Sequence, residues 1–212
     1  MDKELIFRQA VSNEVPHIMQ IIRQAQARMY AAGSRQWQDG YPAPGHVSAD
    51  IGRGRGYVLC RPGTKECHAV IAYGAVVFDG EPAYEALEGK WLTDGPYVLV
   101  HRLAVADGER GKGVAAEFLR HVEELARERG IGAFRIDTNY DNHPMLRLLE
   151  RTGFTPCDQA GMERFSSRVT AKVGTPARRT TLLRANSSAM VVRRTVRVSR
   201  RRPAVKTIRP LT

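Results

Sequence analysis

The chain has 212 residues, 42% of them hydrophobic and 26% charged, and a formal net charge of +11. That length suits one domain with a substantial core, or one domain plus a tail. No apolar run is long enough to span a membrane, Asp2, Lys3 and Glu4 open the chain without the apolar stretch of a signal peptide, and three cysteines are too few for a disulfide or metal framework. The expectation is a reduced, cytoplasmic protein with no resident metal.

Residues 4–10 alternate as a first strand. Asn13 stands as a helix cap, with Glu14 and Pro16 in the first turn. Val15, Ile18, Ile21, Ile22, Ala25 and Met29 then recur at helical spacing, which predicts an amphipathic helix ending near Gly33. A polar loop with Trp37 and Tyr41 follows, with a short helix over residues 47–51. Residues 57–60 and 67–78 read as strands around the Pro62-Gly63 turn, and residues 81–95, with Trp91, as an irregular connection. Residues 97–105 form an apolar, β-branched strand, which predicts a central, buried position.

From Arg110 a helix presents Val114, Phe118, Val122 and Leu125 on one face, and Gly130 and Gly132 stop it. Residues 133–138 are a strand. Asn142 can cap a last helix that buries Leu148 and Leu149 and stops at Gly153.

The junction after residue 105 carries the strongest chemical signal. An apolar strand enters Asp107-Gly108, then Arg110-Gly111-Lys112-Gly113-Val114-Ala115, and opens into a helix. Glycines let a ligand approach the backbone, and the orphan N–H groups and dipole of the helix start favour an anion. Arg110 and Lys112 add positive charge. The spacing fits neither a Walker loop, which needs Ser or Thr after Gly-Lys, nor the GxGxxG dinucleotide fingerprint.

Arg-x-x-Gly-x-Ala after a Leu-x-Val strand resembles the acetyl-CoA loop of the GNAT (Gcn5-related) N-acetyltransferases. The element order up to Phe154 resembles the same mixed α/β fold, the acyl-CoA N-acyltransferase fold. Residues 100–105, 135–139 and 142–145 look like a bacterial subgroup of that family. The resemblance covers roughly residues 4–155.

The resemblance implies direct acetyl transfer from acetyl-CoA, as co-substrate, to a primary amine of a small molecule, a protein N-terminus or a lysine. It places the CoA pyrophosphate on the backbone of Arg110, Gly111, Lys112, Gly113, Val114 and Ala115. It pairs the pantetheine amides with the strand edge at Leu103, Ala104 and Val105. His101, two residues before Leu103, stands where many members hold a general-base Glu, and imidazole suits that task. By simple alternation His101 shares a face with Leu103 and Val105, so a core or edge histidine is the other reading. Asn142 matches an Asn that contacts CoA, or serves as a cap alone. The family's general-acid Tyr is Leu149 here, which leaves water or Tyr140 to protonate the thiolate. Trp37, Tyr41 and Trp91 border the acceptor groove or anchor its loops, and Asp137 and Asp141 could attract an amine or stand as solvated turn residues.

The tail departs from the family. From Thr155 onward fourteen basic residues face only Asp158 and Glu163, whereas residues 1–154 are nearly neutral. The family's last two strands are not evident, and Phe165 is the lone aromatic. The division is a domain over residues 1–155 and a basic tail over 156–212. The tail reads as an out-of-frame product, a disordered polycation, or an electrostatic nucleic-acid tether. Residues 190–198 alternate enough for an opportunistic strand. Without the last hairpin, an exposed sheet edge and a marginal, aggregation-prone protein are expected. Two other functions stay open: a CoA-binding module without turnover, and a nucleic-acid-tethered protein. A homodimer stays open as well.

Overall fold

The computed structural model describes residues 4–63, 69–78, 80, 95–156 and 189–195. Eleven elements are needed to follow the site. They are β1 (Ile6–Gln9), α1 (Val15–Ala31), α2 (Pro44–Gly52), β2 (Gly56–Arg61), β3 (Ala69–Val77), β4 (Tyr97–Val105), α3 (Val114–Glu128), β5 (Ala133–Asn139), α4 (His143–Arg151), β6 (Thr155–Pro156) and β7 (Ala189–Thr195). The sheet runs β1-β2-β3-β4-β5-β7-β6, antiparallel throughout except for the parallel pair β4·β5. β4 is central, as its apolar, β-branched sequence predicts. Among the described residues no helix is long and apolar enough to cross a membrane.

Each face of the sheet buries its own cluster. On one face Phe118, Leu119 and Val122 of α3 and Leu148 and Leu149 of α4 pack on Leu59, Val76, Val98, Val100, Phe134 and Ile136. On the other, Ile18, Ile21 and Ile22 of α1 and Val47 of α2 pack on Val58, Cys60, Val70, Tyr73 and Ala104. Each fully buried side chain of this size contributes about 1.5–3 kcal/mol. The helical spacing read in the sequence is therefore a true apolar stripe on α1 and α3.

Two helix starts differ from expectation. Asn13 does not cap α1; residues Ser12–Glu14 form a 3-10 turn, and Glu14 accepts from the Val11 N–H (2.9 Å). Arg8 grips the same carboxylate with two hydrogen bonds (3.0 and 2.7 Å). Helix α3 begins at Val114 rather than Arg110, because Gly111 and Gly113 take φ of +75° and +80° and interrupt helical geometry.

The sheet edge expected to be bare beyond β5 is corrected in part. Ala189–Thr195 pairs antiparallel with β5 at all seven positions, from Ala133↔Thr195 to Asn139↔Ala189, and β6 pairs with its outer side. The β-branched Val191, Val192 and Thr195 favour strand geometry despite the basic composition around them. The remainder of the predicted tail, Trp91, Cys67 and Cys157 lie outside the described residues.

Gly74 on β3 leaves room for Phe118 of α3 to lie directly against the sheet. A Cβ there would lie 2.8 Å from Phe118 Cζ and 3.4 Å from Val100 Cγ1. Gly74→Ala should therefore cost about 1–3 kcal/mol by overpacking. That would be read as a lower urea midpoint at unchanged slope; a midpoint at or above that of the parent would mean Phe118 retreats freely.

Candidate active site

The site begins where two parallel strands part. β4 and β5 are paired only at Tyr97↔Ala133, Val98↔Phe134 and Leu99↔Arg135. Beyond those positions the strands bound a cleft of about 320 Å³. Its lining includes Trp37, Tyr41, His101, Arg102, Leu103, Asp137 and Asn142.

A β-bulge sets what faces this cleft. Ala75 pairs with His101 and Tyr73 with Ala104, so Arg102 and Leu103 together oppose Gly74. Arg102 adopts φ +56°, a left-handed conformation uncommon outside glycine. The extra residue reverses alternation: Val98 and Val100 before it and Leu103 and Val105 after it all join the α3/α4 cluster. His101 therefore faces away from Leu103 and Val105, which corrects the shared face expected from simple alternation. The core-histidine reading loses its basis there. His101 is instead partly exposed in the cleft, and its Nδ1 lies 3.2 Å from Asp137 Oδ1 on β5.

Arg102 anchors the bulge. Its Nε and Nη2 donate to Asp50 Oδ2 (2.9 Å) and Oδ1 (2.5 Å), and its Nη1 donates to the Tyr41 hydroxyl (2.6 Å). Tyr73 donates to the same Asp50 Oδ2 (2.7 Å). Burial opposes the Arg102 charge, but Tyr41 and Asp50 outweigh it and raise its pKa. Burial, reinforced by Asp50, pushes the Tyr73 hydroxyl well up, and burial also raises Tyr41.

At the other end β4 leads into the glycine loop. Ala106 donates its N–H to Ile71 O (2.9 Å), so strand alternation turns the backbone of Leu103 and Val105 toward the open edge. Ala104 is buried on the opposite face, in the α1/α2 cluster. A Cβ at Gly111 or Gly113 would meet nothing within 4 Å, so both glycines border open space. The N–H groups of Val114, Ala115 and Ala116 fall in the first turn of α3, where no intrahelical partner exists. The loop is braced by Glu109, which accepts from Arg61 (2.9 and 2.5 Å); these bonds hold its carboxyl below the usual range. Lys112 also turns to Glu109 (3.5 Å), so part of its charge is spent within the loop. Arg110 is exposed.

Arg28 of α1 reaches this junction as well. It pairs with Asp107 and donates to Val105 O (3.4 Å). An Arg on a helix surface carries no sign in the sequence that it will do so. Arg102, Asp50 and Tyr73 were likewise unmarked, because their meeting depends on the bulge. Asn142 caps α4 through Oδ1 and the Met145 N–H (3.3 Å), while its Nδ2 donates to Gln36 Oε1 (3.0 Å), tying the loop after α1 to α4. Leu149 is fully buried, and Tyr140 packs against the α3/α4 cluster.

Residues 20–154 match the family model described as Acetyltransferase (GNAT) family. A GNAT-family acetyltransferase structure from Streptococcus agalactiae is 28% identical, with a TM-score of 0.70 over 92% of this chain and 97% of that one. The structure of yncA from Salmonella typhimurium, solved with acetyl-CoA, shares the fold at 16% identity, with a TM-score of 0.57 over 93% and 97% of the two chains. Streptothricin acetyltransferase from Streptomyces lavendulae is 35% identical over 60 residues, which are 28% of this chain and 32% of that enzyme, so the match spans about a third of its length. With a central strand that parts from its parallel neighbour and opens into a glycine-turned helix start, and with the family model matched over most of its length, the chain belongs to the GNAT acetyltransferase family.

Proposed function

We propose that the protein transfers the acetyl group of acetyl-CoA directly to a primary amine of a small molecule or protein. The observation that carries this reading is the placement of the His101–Asp137 pair in a cleft whose β4 wall continues into an open glycine loop.

The residues present fit acetyl-CoA. The first-turn N–H groups of α3 and the backbone from Arg110 to Ala115 would hold the pyrophosphate. The open edge of β4 at Leu103 and Val105 would accept the pantetheine amides as a short added strand. Asn142, already a cap, is the remaining contact expected from the family pattern. The bound thioester would supply an activated acetyl group.

His101 is the base. With a proton on Nδ1 donated to Asp137, the imidazole lone pair lies on Nε2, ready to take a proton from the attacking amine. Asp137 fixes the ring and stabilises the imidazolium that forms, so its role is orientation of His101 more than capture of the amine. Trp37 and Tyr41 form the acceptor wall. Leu149 supplies no proton, and Tyr140 is not among the groups that line the cleft, so water entering the cleft would give a proton to the departing thiolate and take back the one held by the His101 imidazolium.

Leu149 also favours a second reading, in which CoA is bound but not turned over. Acetyl-CoA at a hundred times its Kd should raise unfolding free energy by about 2.7 kcal/mol, seen as an upward Tm shift. No shift in a cooperative transition would remove both readings. Thiol release from acetyl-CoA across a panel of small amines and peptides then separates them. His101→Ala should lower kcat by about 10²–10⁴-fold with acetyl-CoA affinity retained; an unchanged kcat would end the base assignment, and binding without release from any amine would leave the binding module.

A further inference from the structure

The Asp50–Arg102 pair, with Tyr41 and Tyr73, gathers four side-chain hydrogen bonds, and the acetyl-transfer chemistry above does not use it. Its two charged side chains are only 8% and 13% exposed. A buried ion pair adds little net stability, because desolvation offsets its attraction, so its presence calls for another account. It also sits at a strained point. Arg102 holds φ +56° at the bulge, a cost the surroundings must impose, and such strain gathers at functional sites.

The bulge has a specific consequence. Consecutive residues of a regular strand face opposite sides. Here Val100, His101, Arg102 and Leu103 all border the cleft, but Val100 and Leu103 belong to the α3/α4 cluster, whereas Arg102 bonds to Asp50 and Tyr41 on the α1/α2 side of the sheet, the side to which His101 also turns. Asp50 from α2, Tyr73 from β3 and Tyr41 from the loop between α1 and α2 converge on this guanidinium or its partner carboxylate. Asp50 accepts with both oxygens, so the Arg fork is fixed in plane.

We propose that Asp50 and Arg102 are positioning residues: their paired fork locks the β4 bulge so that His101 meets Asp137 and the Tyr41 ring closes the acceptor end of the cleft. The claim that this serves catalysis rests on the acetyl-transfer reading; the claim that it sets the His101 ring does not. In a cleft of this kind, displacement of the base by about 1 Å is enough to lower turnover by about a hundredfold.

The test uses the full chain with Asp50→Asn and Arg102→Lys. The second keeps the charge and loses the planar fork, so any effect there reports geometry rather than electrostatics. The first readout is the ¹⁵N spectrum of the His101 imidazole, assigned by its loss in His101→Gln. Both variants should shift or broaden the His101 signals and leave those of His17 in place. The second readout is turnover: kcat should fall about tenfold or more with acetyl-CoA affinity unchanged, and Asp50→Glu should recover part of the loss. His101 signals identical to the parent in both folded variants, or a parental kcat, would overturn the proposal and leave the pair as a brace for α2. If Asp50→Asn fails to fold, Arg102→Lys decides alone by the same readouts. If the parent binds acetyl-CoA but acetylates no amine, the transfer reading falls, and the imidazole spectrum still decides whether the pair sets the ring.

Discussion

The parting of β4 from β5 is the constraint on which the site depends. A parallel pair held at only three positions leaves the upper half of each strand with one unpaired edge. Unpaired backbone inside a fold is costly unless something supplies the missing partners. On the β4 side that edge belongs to Leu103 and Val105; Arg28 Nη2 reaches the Val105 carbonyl (3.4 Å), and an extended ligand chain is the natural complement of the groups that remain. The cleft is thus a gap in the sheet, with hydrogen-bonding walls and both apolar clusters packed beneath it.

The gap alone would not aim an imidazole into it. The bulge does so by adding one residue opposite Gly74 and exchanging the faces of β4 halfway along its length. Below the bulge, Val98 and Val100 cover α3; above it, Leu103 and Val105 continue the same apolar surface. The core stays continuous across the irregularity, while His101 and Arg102 turn to the other side of the sheet, at a cleft that Val100 and Leu103 also border. Gly74 is coupled to this arrangement, since the absence of its side chain lets Phe118 seal the core directly behind the bulge. Packing on one face and the placement of His101 on the other are therefore set by the same few residues.

What could be read in advance follows from periodicity. Strand β4 occupies the residues its apolar run predicts, α1 and α3 bury the stripes their spacing predicts, and Asn142 caps α4. The glycine loop was legible because φ near +75° is a demand that Gly111 and Gly113 answer visibly. Arg102 makes a similar demand without a glycine, so nothing in the sequence marks the bulge, and alternation assigned His101 to the wrong face. Asp137 was visible as an acid in the groove, but its partnership with His101 depends on two strands that diverge. Asp50 lies on a helix of nine residues, and its meeting with Arg102 and Tyr73 is purely tertiary. Local patterns thus gave the elements and the loop; the contacts around His101 come from irregular backbone.

The strand beyond β5 completes the argument. β5 can leave β4 after Arg135 only if its other edge is satisfied, since a strand bonded on neither side would not hold Asp137 in place. Ala189–Thr195 supplies that edge at every position of β5, including the upper half, where Asp137 and Thr138 face the cleft. Seven paired positions on the outer side against three on the inner side make β5 a firm wall that is open on the side facing β4. Basic composition in the surrounding sequence conceals this, because strand pairing draws chiefly on backbone hydrogen bonds and β-branched residues, here even with Arg193 opposite Arg135. The same pairing that protects the sheet edge also holds the carboxylate that orients His101.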